Sequence, residues 1–367
     1  MMFRYLAVAL LSAIALSACS PADSGDGLSP DANANDRVVA GDPRLEPATP
    51  LPRDVLATEI DRLALDFGGT VGIAVVDVEN EWSTDFDADK LLPQQSVSKL
   101  WVAITALERV DRGDMRLSDT VRLTRDDLAV FHQPIRPQIL REGAVNKTVE
   151  DLIERALIES DNTANDAVLN AVGGPDAVRA MLADKQLSSI RFGPGERAMQ
   201  SAIAGLAWRQ SYAFTKLGFF DARDLVPDNE REIAFNSYQS NPVDGATPQA
   251  IASGLARLSR GELLSSASSD WLLSVLRRTK SGPNRLKAGV PEGWEIAHKT
   301  GTGQYWDGRQ SGYNDVALLY APDGRTYAVA VMIGETRRET PERMEMMQAV
   351  VRAVADYHNT FQTQADG

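Results

Sequence analysis

Apolar positions between Arg53 and Phe67 recur at helical spacing, which predicts an amphipathic helix. The next run, Thr70 to Val78 (TVGIAVVDV), is almost continuously apolar and β-branched and is closed by Glu79-Asn80-Glu81. It predicts a strand, with Trp82 to Phe86 as its hairpin return. From Ser96 to about Ser188 the period becomes helical. Lys99–Val110, Thr148–Ile158, Asp166–Val172 and Pro175–Ala183 are expected helices, and Thr148 followed three residues later by Asp151 is an N-cap signature. Between Ile203 and Gly245 the periodicity fades into an aromatic-rich stretch (Trp208, Tyr212, Phe214, Phe219, Phe220, Phe235, Tyr238), expected as helix and long loop. Helical patterns return at Thr247–Arg260 and Ser266–Arg278. Three β-type runs follow (Trp294–Lys299, Asn314–Tyr320, Thr326–Ile333), then a closing helix, Thr340–Phe361. Strands at both ends with helices between predict an α/β (α+β) fold. One antiparallel five-stranded sheet is built from both chain ends, 53–88 and 290–362. A helical lobe, 96–289, is inserted in it, and the domain spans 51–362 with a short tail, 363–367.

The first fifty residues follow another logic. Arg4 precedes an apolar run from Leu6 to Leu16 that is too short to span a membrane. It ends in Leu16-Ser17-Ala18-Cys19, the pattern of a bacterial lipobox. Residues 1–18 are expected to be a signal peptide, Cys19 to be lipidated, and 19–50, rich in Ser, Pro, Gly, Asp, Asn and Ala, to be a flexible tether. The expected place is the periplasmic face of the envelope, held by the lipid, with Ser20 favouring the outer membrane in a Gram-negative host. Cys19 is the only cysteine, so an internal disulfide is excluded. A net charge of −13 argues against a nucleic-acid partner. With 8 lysines among 38 basic residues, each lysine in a motif is informative.

Ser96 and Lys99 stand three apart at the head of a helix, so they share a face. Alone, this pair fits a capping serine and a lysine reaching outward as well as it fits a nucleophile and its base. Two further motifs change the balance: Ser160-Asp161-Asn162 directly after LIERALIE, and Lys299-Thr300-Gly301 at the end of the first late strand. Each alone suits a turn. In this order, each at the end of an element, the three form the set of the penicillin-recognising serine acyltransferases. From about Arg53 to Phe361 the chain resembles a class A β-lactamase.

That resemblance implies a β-lactamase/transpeptidase-like fold and a role for each residue. Ser96 would be the nucleophile, with Lys99, or Glu196 through a water, as the acylation base, and with Lys299 as second cation and binder of the substrate carboxylate. Ser160 would relay a proton to the leaving nitrogen. Asn162 would meet the side-chain carbonyl of the substrate. Thr300, Gly301 and Thr302 would line the site, with the backbone N–H groups of Ser96 and Thr302 as oxyanion hole. A lactamase also needs a base that holds water for deacylation. In RFGPGERAMQ, Glu196 lies thirty-four residues beyond Asn162, with Gln200 four further on, where the family has asparagine. A surface glutamate in a Gly-Pro-Gly loop is the plain alternative. Phe131, in AVFHQP, fits an aromatic that walls the cleft, or plain core. The expected activity is β-lactam hydrolysis through a serine acyl-enzyme. No metal or organic cofactor is expected, since His132, His298 and His358 lack metal-ligand spacing. The expected partners are a β-lactam or peptidoglycan peptide and a membrane through the anchor, and the chain is expected to be a monomer.

The departures keep alternatives open. Where the family has a second loop arginine, this chain has Pro194, while the partner acid matches Asp244. The pinning salt bridge is therefore expected to be missing or remade by another arginine. The segment between Gln200 and Asp244 is much longer than the family's and would serve as lid, wall or support. A slowly deacylating D-alanyl-D-alanine peptidase shares every motif except the Glu196 pair. A non-catalytic cell-wall or antibiotic-binding module is the third reading.

Overall fold

The computed structural model describes residues 51–365, with side chains described to residue 360. The expected signal peptide, Cys19 and tether lie outside the described residues. The principal elements are α1 (Pro52–Phe67), β1 (Thr70–Asp77), β2 (Trp82–Phe86), α2 (Lys99–Arg112), α3 (Asn162–Ala171), α4 (Glu196–Ile203), α5 (Gly218–Asp224), α6 (Asp228–Ser240), α7 (Pro248–Ser259), β3 (Glu295–Thr302), β4 (Arg309–Tyr320), β5 (Thr326–Thr336) and α8 (Thr340–Ala365).

The sheet runs β2-β1-β5-β4-β3, antiparallel throughout, so the N-terminal hairpin is completed by strands from the far end of the chain. A short sixth strand, Tyr305–Trp306, folds back on β4 through Asp307-Gly308, both at positive φ as a tight hairpin turn requires. Period-two alternation decides what each face meets. From β5, Tyr327, Val329, Val331 and Ile333 join Ile60 of α1 and Met347 and Val350 of α8 in one core. Ala328, Ala330 and Met332 face the other way, into the core of the helical lobe. Small residues on that face let the helices approach closely.

The structure departs from the local patterns in three places. α2 is buried from Lys99 through Glu108, so it is the central helix of its lobe rather than a one-sided surface helix. The stretch expected as one helix over Thr148–Ile158 begins as read, with Thr148 Oγ1 accepting from Asp151 N at 3.1 Å. It then widens into a π turn over Arg155–Glu159. Such turns are rare and cluster at functional sites; this one delivers Ser160. Finally, β4 starts at Arg309, five residues before the expected strand, because it also pairs with Tyr305–Trp306.

Candidate active site

Ser96 does not cap a helix, and Lys99 does not reach outward. Ser96 sits in a 3-10 turn, Gln95–Ser98, that runs straight into α2, and Lys99 is 1% exposed. Its Nζ donates to Ser96 Oγ at 2.9 Å and to Glu196 Oε1 in a buried ion pair. Gln95, just ahead of the serine, lies in the left-handed region at φ 53°. A non-glycine residue there costs about 1–3 kcal/mol and needs surroundings that over-determine it. They do so here. Gln95 N donates to Asp244 Oδ2 (2.8 Å), its Nε2 donates to the Tyr238 hydroxyl (2.6 Å), and its Oε1 accepts from Gln200 Nε2 (3.0 Å).

The second motif splits into three tasks. Ser160, at φ 60°, offers its Oγ to Lys299 Nζ at 3.0 Å. Asp161 is structural: its carboxylate caps α3 through Ala164 N (3.0 Å) and ties in Ile135 N (2.7 Å). Asn162 Nδ2 donates to Val130 O at 2.9 Å, which fixes the amide at the cavity wall.

The third motif lies on β3. Lys299 Nζ also donates to Thr300 O (2.9 Å), and Thr300 Oγ1 pairs with Ser281 Oγ (2.7 Å). Burial first, then the Lys99 charge, hold the Lys299 ammonium well below the usual lysine range. Gly301 is required by packing: a Cβ there would lie 2.2 Å from the carbonyl of Gln94, the residue that leads into the Ser96 turn. Thr302 is exposed at the strand end.

These residues enclose a cavity of about 560 Å³, lined among others by Ser96, Phe131, Ser160, Asn162, Glu196 and Thr300. Phe131 is half-buried and meets both walls, lining the cavity and packing edge-on against Phe219 at 5.0 Å. Lys299 is buried behind Ser160 and Thr300. The Ser96 turn, the π-turn exit, β3 and the loop into α4 therefore converge on one space. Among the described residues, no cluster of His, Cys, Asp and Glu could hold a metal ion.

The model of the β-lactamase enzyme family matches residues 55–358. The chain belongs to that family. It is 28% identical over 298 residues to a β-lactamase of Amycolatopsis lactamdurans, covering 80% of this chain and 82% of that one. It is 23% identical to the β-lactamase VEB-1 of Pseudomonas aeruginosa, with 83% and 91% covered. Among solved structures, a β-lactamase from Chitinophaga pinensis aligns with a TM-score of 0.69 at 25% identity, covering 83% of this chain and 99% of that one. An ancestral class A β-lactamase aligns at 0.64 and 28%, with 82% and 99% covered.

This family member holds its glutamate loop in its own way. Among the described residues, no arginine replaces the expected salt bridge at Asp244. Its Oδ1 accepts from the Tyr238 hydroxyl of α6 at 2.9 Å, so the aromatic-rich insertion itself supplies the partner. A hydroxyl brings no positive charge, and burial pushes the Asp244 carboxyl up to about 6. Arg191, at the start of the loop, donates instead to Asn241 Oδ1 at 2.6 Å. Gln200 spans the interval left to it: its Nε2 reaches both Gln95 Oε1 and Glu196 Oε2 (3.3 Å), while its Oε1 accepts from Gln304 Nε2 at 3.0 Å.

Sequence reasoning missed two residues. Arg285 stands in the loop before β3 and lines the cavity, donating to Gly301 O (3.0 Å), Asn314 O (2.6 Å) and Thr302 Oγ1 (2.5 Å). It belongs to no motif, and only its rarity as a buried arginine could have flagged it. Asp166, on α3, accepts from Glu196 N at 3.1 Å. In the sequence it looks like any polar helix position.

Proposed function

We propose that this chain hydrolyses β-lactams through an acyl-enzyme on Ser96, in the manner of a class A β-lactamase. One observation carries the reading: a buried Lys99 joins the Ser96 hydroxyl to the Glu196 carboxylate. An ammonium that donates to both has no free lone pair. Lys99 takes the Ser96 proton only after passing one of its own to Glu196, which makes the two a single proton-accepting unit. Ser96 Oγ then attacks the lactam carbonyl. The new oxyanion lies between the backbone N–H groups of Ser96, at the start of a helical run, and Thr302. Ser160, bonded to Lys299, passes its proton to the lactam nitrogen as the C–N bond breaks and regains one from the Lys99–Glu196 unit, which returns Glu196 to a carboxylate. Lys299 and Arg285 supply the positive charge for the substrate carboxylate. In deacylation Glu196, held by Gln200 and by its backbone bond to Asp166, takes a proton from a water that attacks the ester, and Ser96 is restored. No step calls for a metal or organic cofactor.

The test is the purified chain with a chromogenic cephalosporin and a penicillin in excess, followed by absorbance and intact mass. Many turnovers per chain are expected. In Glu196→Gln, where Lys99 must lose its proton to solvent instead, acylation should slow and deacylation should stall, with turnover falling by about 10²–10⁴ and a lasting mass increase on Ser96. A parent chain that stops after one equivalent would overturn the hydrolase reading. A Glu196→Gln variant that turns over at the parent rate would remove Glu196 from its role.

We further propose that Cys19 carries a lipid that holds the domain at the periplasmic face of the envelope, a reading supported by Leu16-Ser17-Ala18-Cys19 and the tether composition. Cys19→Ala should move the protein from the membrane to the soluble fraction.

A further inference from the structure

The segment between α4 and α7 carries two arginines that acyl transfer does not use. Arg223, on α5, lines the cavity, with its guanidinium carbon 4.9 Å from the centroid of Phe220, another lining residue. Phe220 in turn packs on Phe131 at 5.6 Å. Arg231, on α6, lies 4.0 Å over the ring of Trp306, in the hairpin beside the lining residue Tyr305. α5 thus carries a guanidinium to the cavity wall, and α6 carries a second one to the neighbouring hairpin.

Their charges are poorly matched by the protein. Among the described residues, the carboxylate within reach of Arg223 is that of neighbouring Asp224, 3.4 Å away and itself 65% exposed. Arg231 Nε is buried without a hydrogen-bond partner. Burial, then the charge of Arg223, hold Arg231 below the usual arginine range against the opposing pull of Asp224 and Asp228, so the two cations sense each other. Of the two acids lining the same cavity, Glu196 is paired with Lys99, and Glu159 faces Arg155 at 3.9 Å and Lys280 at 3.6 Å. A guanidinium with unused donors in a cavity wall suits a carboxylate, which it can meet through two parallel hydrogen bonds.

We infer that Arg223, backed by Arg231, forms a subsite for a second anionic group of the substrate, a carboxylate on the acyl side chain of a β-lactam. This rests on the hydrolysis reading above. It is separate from the carboxylate common to these substrates, which Lys299 and Arg285 take at β3. The insertion then adds a preference for dianionic substrates over monoanionic ones of the same shape.

Benzylpenicillin and carbenicillin test this, since they share ring system and phenyl group and differ by one side-chain carboxylate. The readout is the ratio of kcat/KM for carbenicillin to that for benzylpenicillin, with the full chain at low ionic strength. In Arg223→Gln the ratio should fall about fivefold, the worth of one partly exposed ion pair, and mainly through KM. Arg223→Lys should keep most of it, and added salt should lower the parent's ratio towards the variant's. An unchanged ratio in Arg223→Gln overturns the subsite. So does an equal fall for both penicillins in the Gln and Lys variants alike, which would mark Arg223 as structural. A parent chain inert towards both penicillins would instead overturn the hydrolysis reading, and the subsite with it.

Discussion

Asp166→Asn isolates the electrostatic cost of holding the glutamate loop. The Asp166 carboxylate is buried, accepts from Glu196 N, and stands 3.9 Å from Arg197 Nε. Burial first, then the Glu196 charge, push its pKa from 3.8 to about 6. The native state therefore binds more protons than the unfolded chain between those two values. Stability falls as pH rises through the window, and the full penalty is in place above about pH 6. A shift of about two units corresponds to roughly 3 kcal/mol, and this buried group has little solvent to soften it. Asparagine keeps an oxygen for Glu196 N and removes the charge. At about pH 8 the variant should be more stable than the parent by up to roughly 3 kcal/mol, less whatever the Arg197 attraction returns. At about pH 4 the gap should shrink below roughly 1 kcal/mol. Denaturant unfolding of both proteins at several pH values measures this. Asp244, also pushed up to about 6, contributes the same slope to both and drops out of the difference. A variant no more stable than the parent at pH 8, or a gap that does not narrow on acidification, would refute the reasoning.

Tyr238→Phe removes the donor to buried Asp244 and one acceptor of Gln95, at a cost of about 1–3 kcal/mol by thermal or denaturant unfolding. It should also slow deacylation more than acylation, seen as a larger pre-steady-state burst; unchanged stability would contradict the contact. Because burial and Lys99 lower the Lys299 pKa, its cation is lost earlier as pH rises, so KM for a simple penicillin should climb at a lower pH than an ordinary lysine would give. A flat KM profile would argue against Lys299 as the carboxylate binder. Arg285→Gln should raise KM about tenfold with a smaller change in kcat, measured by steady-state kinetics.

What the sequence made legible was local or repeated. The Thr148 cap, the alternation in Thr326–Ile333 and the three-residue spacing of Ser96 and Lys99 are all short-range signals. They located elements and the Ser96–Lys99 contact. Glu196 needed more: its distance from Asn162 meant something only beside a resemblance to a family. The π turn at Arg155–Glu159 was hidden because its residues have ordinary helical propensity, and the widening comes from tertiary packing. Gln95 meets Tyr238 across 143 residues, and Arg285 meets Asn314 across 29. No period or composition encodes such pairings. Pro194 did signal that Asp244 needed a new partner, but sequence reasoning looked for charge where a tyrosine hydroxyl was used.

The bond between Tyr238 and Asp244 also constrains how this chain can change over generations. An arginine restored at position 194 would meet an acid already engaged by the hydroxyl, and loss of Tyr238 alone would strand a buried carboxylate and loosen the turn ahead of Ser96. Each step is costly in isolation, while the two together exchange one support for another. The forty-odd residues that look like a dispensable surface addition are thus bound by epistasis to the nucleophile. A deletion that trims them without first installing a substitute partner for position 244 would cross a fitness valley rather than return to a simpler ancestor.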